Sequence, residues 1–287
     1  MSRVTRTTVC EGAPIFALTA DTRSQVWLAT GEGLFYGDGG GWQRAPHDWP
    51  HLNTALVADD FLFAAGPGGM ARSIDNGRSW QLCWLDQIES AVTCLAASPN
   101  FSRDRALLAG TGGDGILRST DGGRHWELSN FGLREFAVLA LVVAPRWERR
   151  EVAFAATEGG LYRSPNGGRA WKRIEAEPKG VTQCLAVSHQ FASDATVFAG
   201  TESNGLYKST DGGQQWKRVQ GAAKTINGLL RGPDGLWVGT NAGVAHLADG
   251  GQTWETIETR APVLCLAKRD DKVYAGTSDG TLLRIDP

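Results

Sequence analysis

The sequence lacks what a membrane span, a nucleic-acid binder or a zinc protein would need. No apolar run is long enough to cross a bilayer. The stretch from Met1 to Cys10 has no apolar h-region, so no secretory leader is expected. Neither sign of charge dominates: 29 Lys and Arg are interspersed with 31 Asp and Glu, for a net charge of −2. That balance gives no electrostatic case for nucleic acid or for an anionic membrane surface. No amphipathic helical stretch of useful length is visible. Cysteine is sparse, five in 287 residues, an odd number whose spacing fits no zinc pattern. Free thiols in small core slots suit a reducing compartment, so a cytoplasmic location is expected. No metal and no cofactor is expected.

What the chain has instead is glycine, 37 residues of it, and a repeat. Residues Gly115-Ile-Leu-Arg-Ser119-Thr-Asp121-Gly-Gly123-Arg-His-Trp126 return as Gly160-Leu-Tyr-Arg-Ser164-Pro-Asn166-Gly-Gly168-Arg-Ala-Trp171 and as Gly205-Leu-Tyr-Lys-Ser209-Thr-Asp211-Gly-Gly213-Gln-Gln-Trp216. Looser copies run Ser73-Ile-Asp75-Asn-Gly77-Arg-Ser-Trp80 and Ala248-Asp249-Gly-Gly251-Gln-Thr-Trp254, and a shortened one ends Asp38-Gly-Gly-Gly-Trp42. The Trp steps are 38, 46, 45, 45 and 38 residues. A unit of that size is too small to bury a core alone and must stack on its neighbours. Each copy reads as strand, tight turn, strand. Asp or Asn accepts backbone N–H bonds two residues on, and the glycines supply positive φ. Ser ties the incoming strand to the turn, and the Trp ring lies over the hairpin. One carboxylate per copy is too few for a calcium loop.

Each unit opens with a strand carrying a small residue followed by Leu: Ala17-Leu18, Ala55-Leu56, Cys94-Leu95, Ala140-Leu141, Cys184-Leu185, Gly228-Leu229 and Cys265-Leu266. A small residue on one face and a large one on the other suits a strand crowded near a central axis. The seventh unit ends without its Trp hairpin, while residues 2–10 form a strand with no local partner. Pairing the two would close a ring and remove an exposed edge. The expected fold is therefore all-β: a seven-bladed β-propeller of four-stranded antiparallel blades. It forms a single domain over 1–287, with residues 2–10 completing the seventh blade alongside 262–287. A monomeric ring is expected. Longer links in units three to five carry Phe101, Trp147 and Phe191, expected to plug a gap to their own blade.

The Ser-x-Asp-x-Gly-x-x-Trp pattern resembles the Asp-box, or bacterial neuraminidase repeat. It spans nearly the whole chain, with structural positions Asp38, Asp75, Asp121, Asn166, Asp211 and Asp249 and their tryptophans Trp42, Trp80, Trp126, Trp171, Trp216 and Trp254. Families sharing that box include sialidases, xyloglucan-degrading glycosidases, sortilin-type receptors and photosystem II assembly propellers. In them the box lies at the blade periphery, so the resemblance implies a fold rather than an activity. The sialidase set is not matched: there is no Arg-Ile-Pro, and Tyr162 and Tyr207 share a strand position with Leu117 and Ala245.

By analogy with propellers, the functional mouth is lined by links from second to third strands and by links between blades. That places Glu32, Asp114, Glu158, Glu202 and Asp279 around one rim. A glycoside hydrolase or lyase acting on a glycan would draw its acid and base from Glu32, Asp114, Glu158 or Glu202. The inter-blade links after units one to three are long. Their Trp49, His51, Trp84, Phe131 and Arg134, with Asp279, are candidate contacts for a protein partner. His47 and His51 beside Asp48 lack the spacing of a metal site. With no nucleophile–base arrangement apparent, the expected function is a non-enzymatic scaffold that binds a protein partner or assembles a complex.

Overall fold

The computed structural model describes residues 3–21, 25–38, 41–46, 49–85, 88–145, 151–249, 251 and 253–286. The expectations that fall on His47, Asp48 and Trp147 lie outside these residues. Seven four-stranded antiparallel sheets form the blades of a propeller. The innermost strands are Ile15–Ala20, Thr54–Ala58, Val92–Ala97, Val138–Val143, Thr182–Val187, Ile226–Gly232 and Val263–Arg269. Each touches the next, and the last returns to the first. Six blades are built from consecutive strands. The seventh takes its outer strand from the opposite end of the chain: Arg3–Thr8 pairs with Thr281–Asp286 in unbroken register, from Arg3 opposite Asp286 to Thr8 opposite Thr281. The ring closes as the missing hairpin required. Two short helices interrupt the β architecture, Phe101–Asp104 and Phe191–Asp194.

The small residue of every inner strand faces a small residue of the second strand, and the pairs are matched in volume. Ala17 lies opposite Ala29, Ala55 opposite Ala64 and Ala140 opposite Ala156. Gly228 faces Gly239, and each of Cys94, Cys184 and Cys265 faces a glycine. A Cβ at Gly110 would stand 2.6 Å from the Cys94 sulfur. Close packing leaves no room for two larger groups here. All five cysteines are free. Burial pushes the Cys94 thiol up to about 11 and the Cys265 thiol to about 12.

The Ser-Asp-Gly-Trp turns close as hydrogen-bonded loops. Ser119 donates its hydroxyl to Asp121 Oδ1 at 2.9 Å and accepts the Gly123 amide at 2.9 Å. Asp121 Oδ1 also accepts the amides of Arg124 at 2.9 Å and His125 at 3.1 Å. The carboxylate thus spans three and four residues, not the two expected from a simple Asx turn. The Trp126 indole N–H donates to Gly123 O at 3.2 Å. The Ser bond to the second glycine amide recurs at Ser73, Ser164 and Ser209, and the indole bond recurs at Trp80 and Trp216, whereas Trp171 donates to Ser129 O of the preceding blade at 2.9 Å. In blade 4, Asn166 Oδ1 takes the place of the carboxylate, accepting Ser164 Oγ at 2.9 Å and the Ala170 amide at 3.0 Å. Blade 6 departs from this pattern: Leu247 stands where blades 2 to 5 have Ser, and Asp249 pairs with Arg231 at 3.1 Å.

These turns also join blades. A Cβ on the second box glycine would strike a large side chain of the preceding blade: Trp27 at 2.6 Å from Gly77, Phe63 at 2.6 Å from Gly123, Leu108 at 2.5 Å from Gly168 and Phe154 at 2.9 Å from Gly213. Glycine is required there for close approach as well as for its positive φ. Directly across the strand pair, a cation of the preceding blade caps the turn. Arg72 donates to Gly122 O and Arg118 to Gly167 O, both at 2.9 Å. Blade 7 has no such turn, and blade 6 is served by its own loop. Asp234 accepts the Trp237 indole at 3.0 Å and Lys268 of blade 7 at 2.7 Å, while His246 stacks on Trp237 with centroids 4.0 Å apart. The link aromatics pack in clusters that hold their own blade's strands, as expected, and reach the preceding blade as well. Phe101 meets Phe61 and Phe63, and Phe191 meets Phe154, so each seals the seam with the preceding blade.

Candidate functional site

Hydrogen bonds sort the loops onto two faces. The turns between second and third strands bond to the inter-blade links: Gly31 donates to Pro14 O at 3.0 Å, Gly112 to Ala91 O at 2.9 Å, Glu158 to Ala137 O at 3.1 Å and Glu202 to Val181 O at 3.0 Å. The box turns bond instead to the links between first and second strands, as Gly122 does to Arg105 O at 3.1 Å and Gly212 to Ala195 O at 2.9 Å. The first set forms the mouth-side face, the second the box-side face.

The mouth is braced by a bulge in six inner strands. At three of these bulges, and just before the regular inner strand of blade 2, a side chain reaches across to the next blade. Asn53 donates to Val92 O at 2.9 Å, Thr93 to Val138 O at 2.7 Å, Gln183 to Ile226 O at 2.9 Å and Asn227 to Val263 O at 3.1 Å. Such bulges re-aim a side chain out of the strand's alternation, and Thr93, Gln183 and Asn227 thereby staple two blades at the rim.

The five acidic residues expected at the rim come one from each of five blades. Asp114 accepts the amides of Glu89 at 3.1 Å and Ser90 at 2.8 Å, and the Ser90 hydroxyl at 2.5 Å. The Ser90 hydroxyl, more than any other group, holds this carboxyl below its ordinary range. It fastens a turn to an inter-blade link. Asp279 is engaged by the Thr277 hydroxyl at 2.5 Å and the Thr281 amide at 3.2 Å, with its pKa lowered chiefly by Thr277. Glu32, Glu158 and Glu202 are exposed. Among the described residues no hydrogen bond joins one of these carboxylates to another. No three His, Cys, Asp or Glu among the described residues converge as a metal would need.

The aromatic candidates divide. Trp49 is half-buried against Gly68 and the core around Leu34 and Leu52. His51 is half-buried too, its Nε2 at 3.0 Å from Asn53 Oδ1 and its ring 5.3 Å from Phe16. Trp84 and Phe131 stand in solvent, 71% and 80% exposed, and Arg134, three residues beyond Phe131 in the chain, is exposed as well. Backbone bridges hold both in place: Trp84 lies alongside His125 of the next blade, and Phe131 O accepts the Trp171 amide at 2.8 Å.

Sequence reasoning missed Leu82, Leu128 and Phe136, which are also exposed. The signal was present two residues after each box Trp. That outer-edge position is Arg44, Arg173 and Arg218 in blades 1, 4 and 5, and the equivalent in blade 7 is Arg6. Charge on an edge discourages pairing with another chain. Blades 2 and 3 place Leu82 and Leu128 there instead. With Trp84 and Phe131 they make the outer rim of blades 2 and 3 apolar.

No curated protein matches the chain. Among solved structures, YCF48 bound to D1 peptide superposes with a TM-score of 0.78 at 17% identity, covering 99% of this chain and 97% of that one. The WD40 β-propeller domain of Doa1 gives 0.78 at 13% identity, covering 99% and 96%. Virginiamycin B lyase from Staphylococcus aureus gives 0.80 at 11% identity, with both chains covered at 100%. A peptide complex, a WD40 domain and a lyase at such identities share the fold alone. No helix among the described residues is long and apolar enough to cross a membrane. By sequence, the chain belongs to the family described as outer membrane protein assembly factor BamB, which matches residues 5–218.

Proposed function

We propose that the protein is a non-catalytic scaffold, a monomeric ring that captures a protein or peptide partner on its mouth-side face and the adjoining rim of blades 2 and 3. The carrying observation is the pair Trp84 and Phe131, exposed at 71% and 80%, beside leucines in positions that four other blades give to arginine. Exposed aromatics on rigid links are the residue types that dominate binding energy. An assembly-factor family, and a D1 peptide on a YCF48 propeller of the same fold, are in keeping with this reading. Glycan chemistry falls behind it, because Asp114 and Asp279 are engaged by neighbouring hydroxyls and amides and the other rim acids come singly from separate blades. We read the Ser-Asp-Gly-Trp turns as Asp-boxes with a structural role. The free thiols lead us to place the protein in a reducing, cytoplasmic setting.

The test is affinity purification from the native cell with wild type and the Trp84→Ala/Phe131→Ala pair. A stoichiometric partner should be retained by wild type and lost by the variant, with the melting temperature unchanged because both side chains are exposed. Absence of any partner on wild type, or full retention by the variant, would sink the proposal.

A further inference from the structure

A second site is carried by an irregularity in blade 6. In blades 4 and 5 the third strand places Tyr162 and Tyr207 beside Arg173 and Arg218 of the outer strand. Tyr162 is fully buried there, and Arg173 lies over Gly160 and pairs with Glu177 at 3.0 Å. Blade 6 has Ala245 beside Thr256 at the same register, so both the ring and the guanidinium are replaced by small groups. The link above is small as well, Gly221-Ala222-Ala223. Together these substitutions open a pocket of about 290 Å³ between that link and the blade. Ala245, Val238, Trp254 and Ile257 line it, together with the exposed Glu258. Trp254 is held in place by its indole N–H, which donates to Gln220 O at 3.1 Å. The lining is mostly apolar with one exposed acid, the pattern of a small-ligand site.

We infer that this pocket binds an aromatic ring joined to a cationic group. The ring fills the volume that Tyr162 fills in blade 4, and the cation meets Glu258 as Arg173 meets Glu177. Two sources share that chemistry: a free aromatic amine, or a Tyr or Phe next to a basic residue in a peptide. The site lies in blade 6, apart from the partner face on blades 2 and 3, and stands whether or not that reading holds.

The experiment follows the Trp254 indole N–H resonance of the full chain during titration with tyramine, with p-cresol and with N-acetyl-Tyr-Lys-amide. All three should move it saturably. Glu258→Gln should weaken tyramine about fivefold, the scale of one exposed ion pair, and leave p-cresol unchanged. Ala245→Tyr should abolish binding of every probe while keeping or raising the melting temperature, since tyrosine is native at this register in two blades. Tighter binding of the dipeptide than of tyramine would identify a peptide source, and the reverse a free amine. The inference is overturned if no probe shifts Trp254 saturably, if Ala245→Tyr binds like wild type, or if Glu258→Gln leaves tyramine affinity unaltered.

Discussion

Asp121 and Asn166 hold the same turn in neighbouring blades, one charged and one neutral. The difference surfaces in acid. Burial would raise the Asp121 carboxyl, but the His125 amide and ring and the Ser119 hydroxyl bring it down to about 2 from an ordinary 3.8. Asp75 falls to about 2 as well, chiefly through the Ser79 hydroxyl. A carboxyl depressed on folding contributes stability that is complete above its unfolded pKa and is lost as pH falls through the folded one. Asp121→Asn keeps the acceptor, as Asn166 shows. Thermal melts across pH 4 to about 2 should therefore fall less steeply for this variant than for wild type, with little change at pH 7. The glycine beside it is less forgiving. Gly123→Ala combines a φ of +78° with a Cβ 2.6 Å from Phe63, so a loss of about 1–3 kcal/mol is expected in denaturant unfolding. Adding Phe63→Leu should recover part of that loss if the ring is the obstacle; no recovery would leave backbone strain as the whole cause.

At the scale of the element, the N-terminal strand Arg3–Thr8 contributes one blade edge and the closure of the ring. Deleting residues 1–8 should lower the melting temperature by at least about 10 °C and broaden the transition. A truncated chain that melts like the full one would mean closure contributes nothing. This closure was legible in the sequence, because a seventh unit without its hairpin and an unpaired first strand imply each other. The seven small-Leu pairs gave the blade count for a similar reason: crowding near an axis repeats at every blade. The partners of Gly77, Gly123, Gly168 and Gly213 were not legible. Periodicity says what recurs within a unit and nothing about which face of the neighbour stands opposite, so the side chains of Trp27, Phe63, Leu108 and Phe154 could not be assigned to them. The stapling side chains Thr93, Gln183 and Asn227 were hidden for another reason. A bulge breaks the two-residue alternation that strand reading relies on. Leu82 and Leu128, by contrast, were readable by counting two residues on from each Trp, where arginine is otherwise the habit.

For the whole molecule, the contacts of blades 1 to 4 run one way round the ring, each of them holding the turn of the next. Blade 6 has no following turn to hold, and Asp234, Trp237, His246 and Lys268 close that seam instead. Arg3 is paired with Asp286, at the box-side end of blade 7, while Thr8 and Thr281 mark the mouth-side end. Anything fused at either terminus, whether a tag, a further domain or a tether to a surface, departs from beside the same spot on the box-side face. Held by either end, the ring is oriented with its mouth turned away from the anchor.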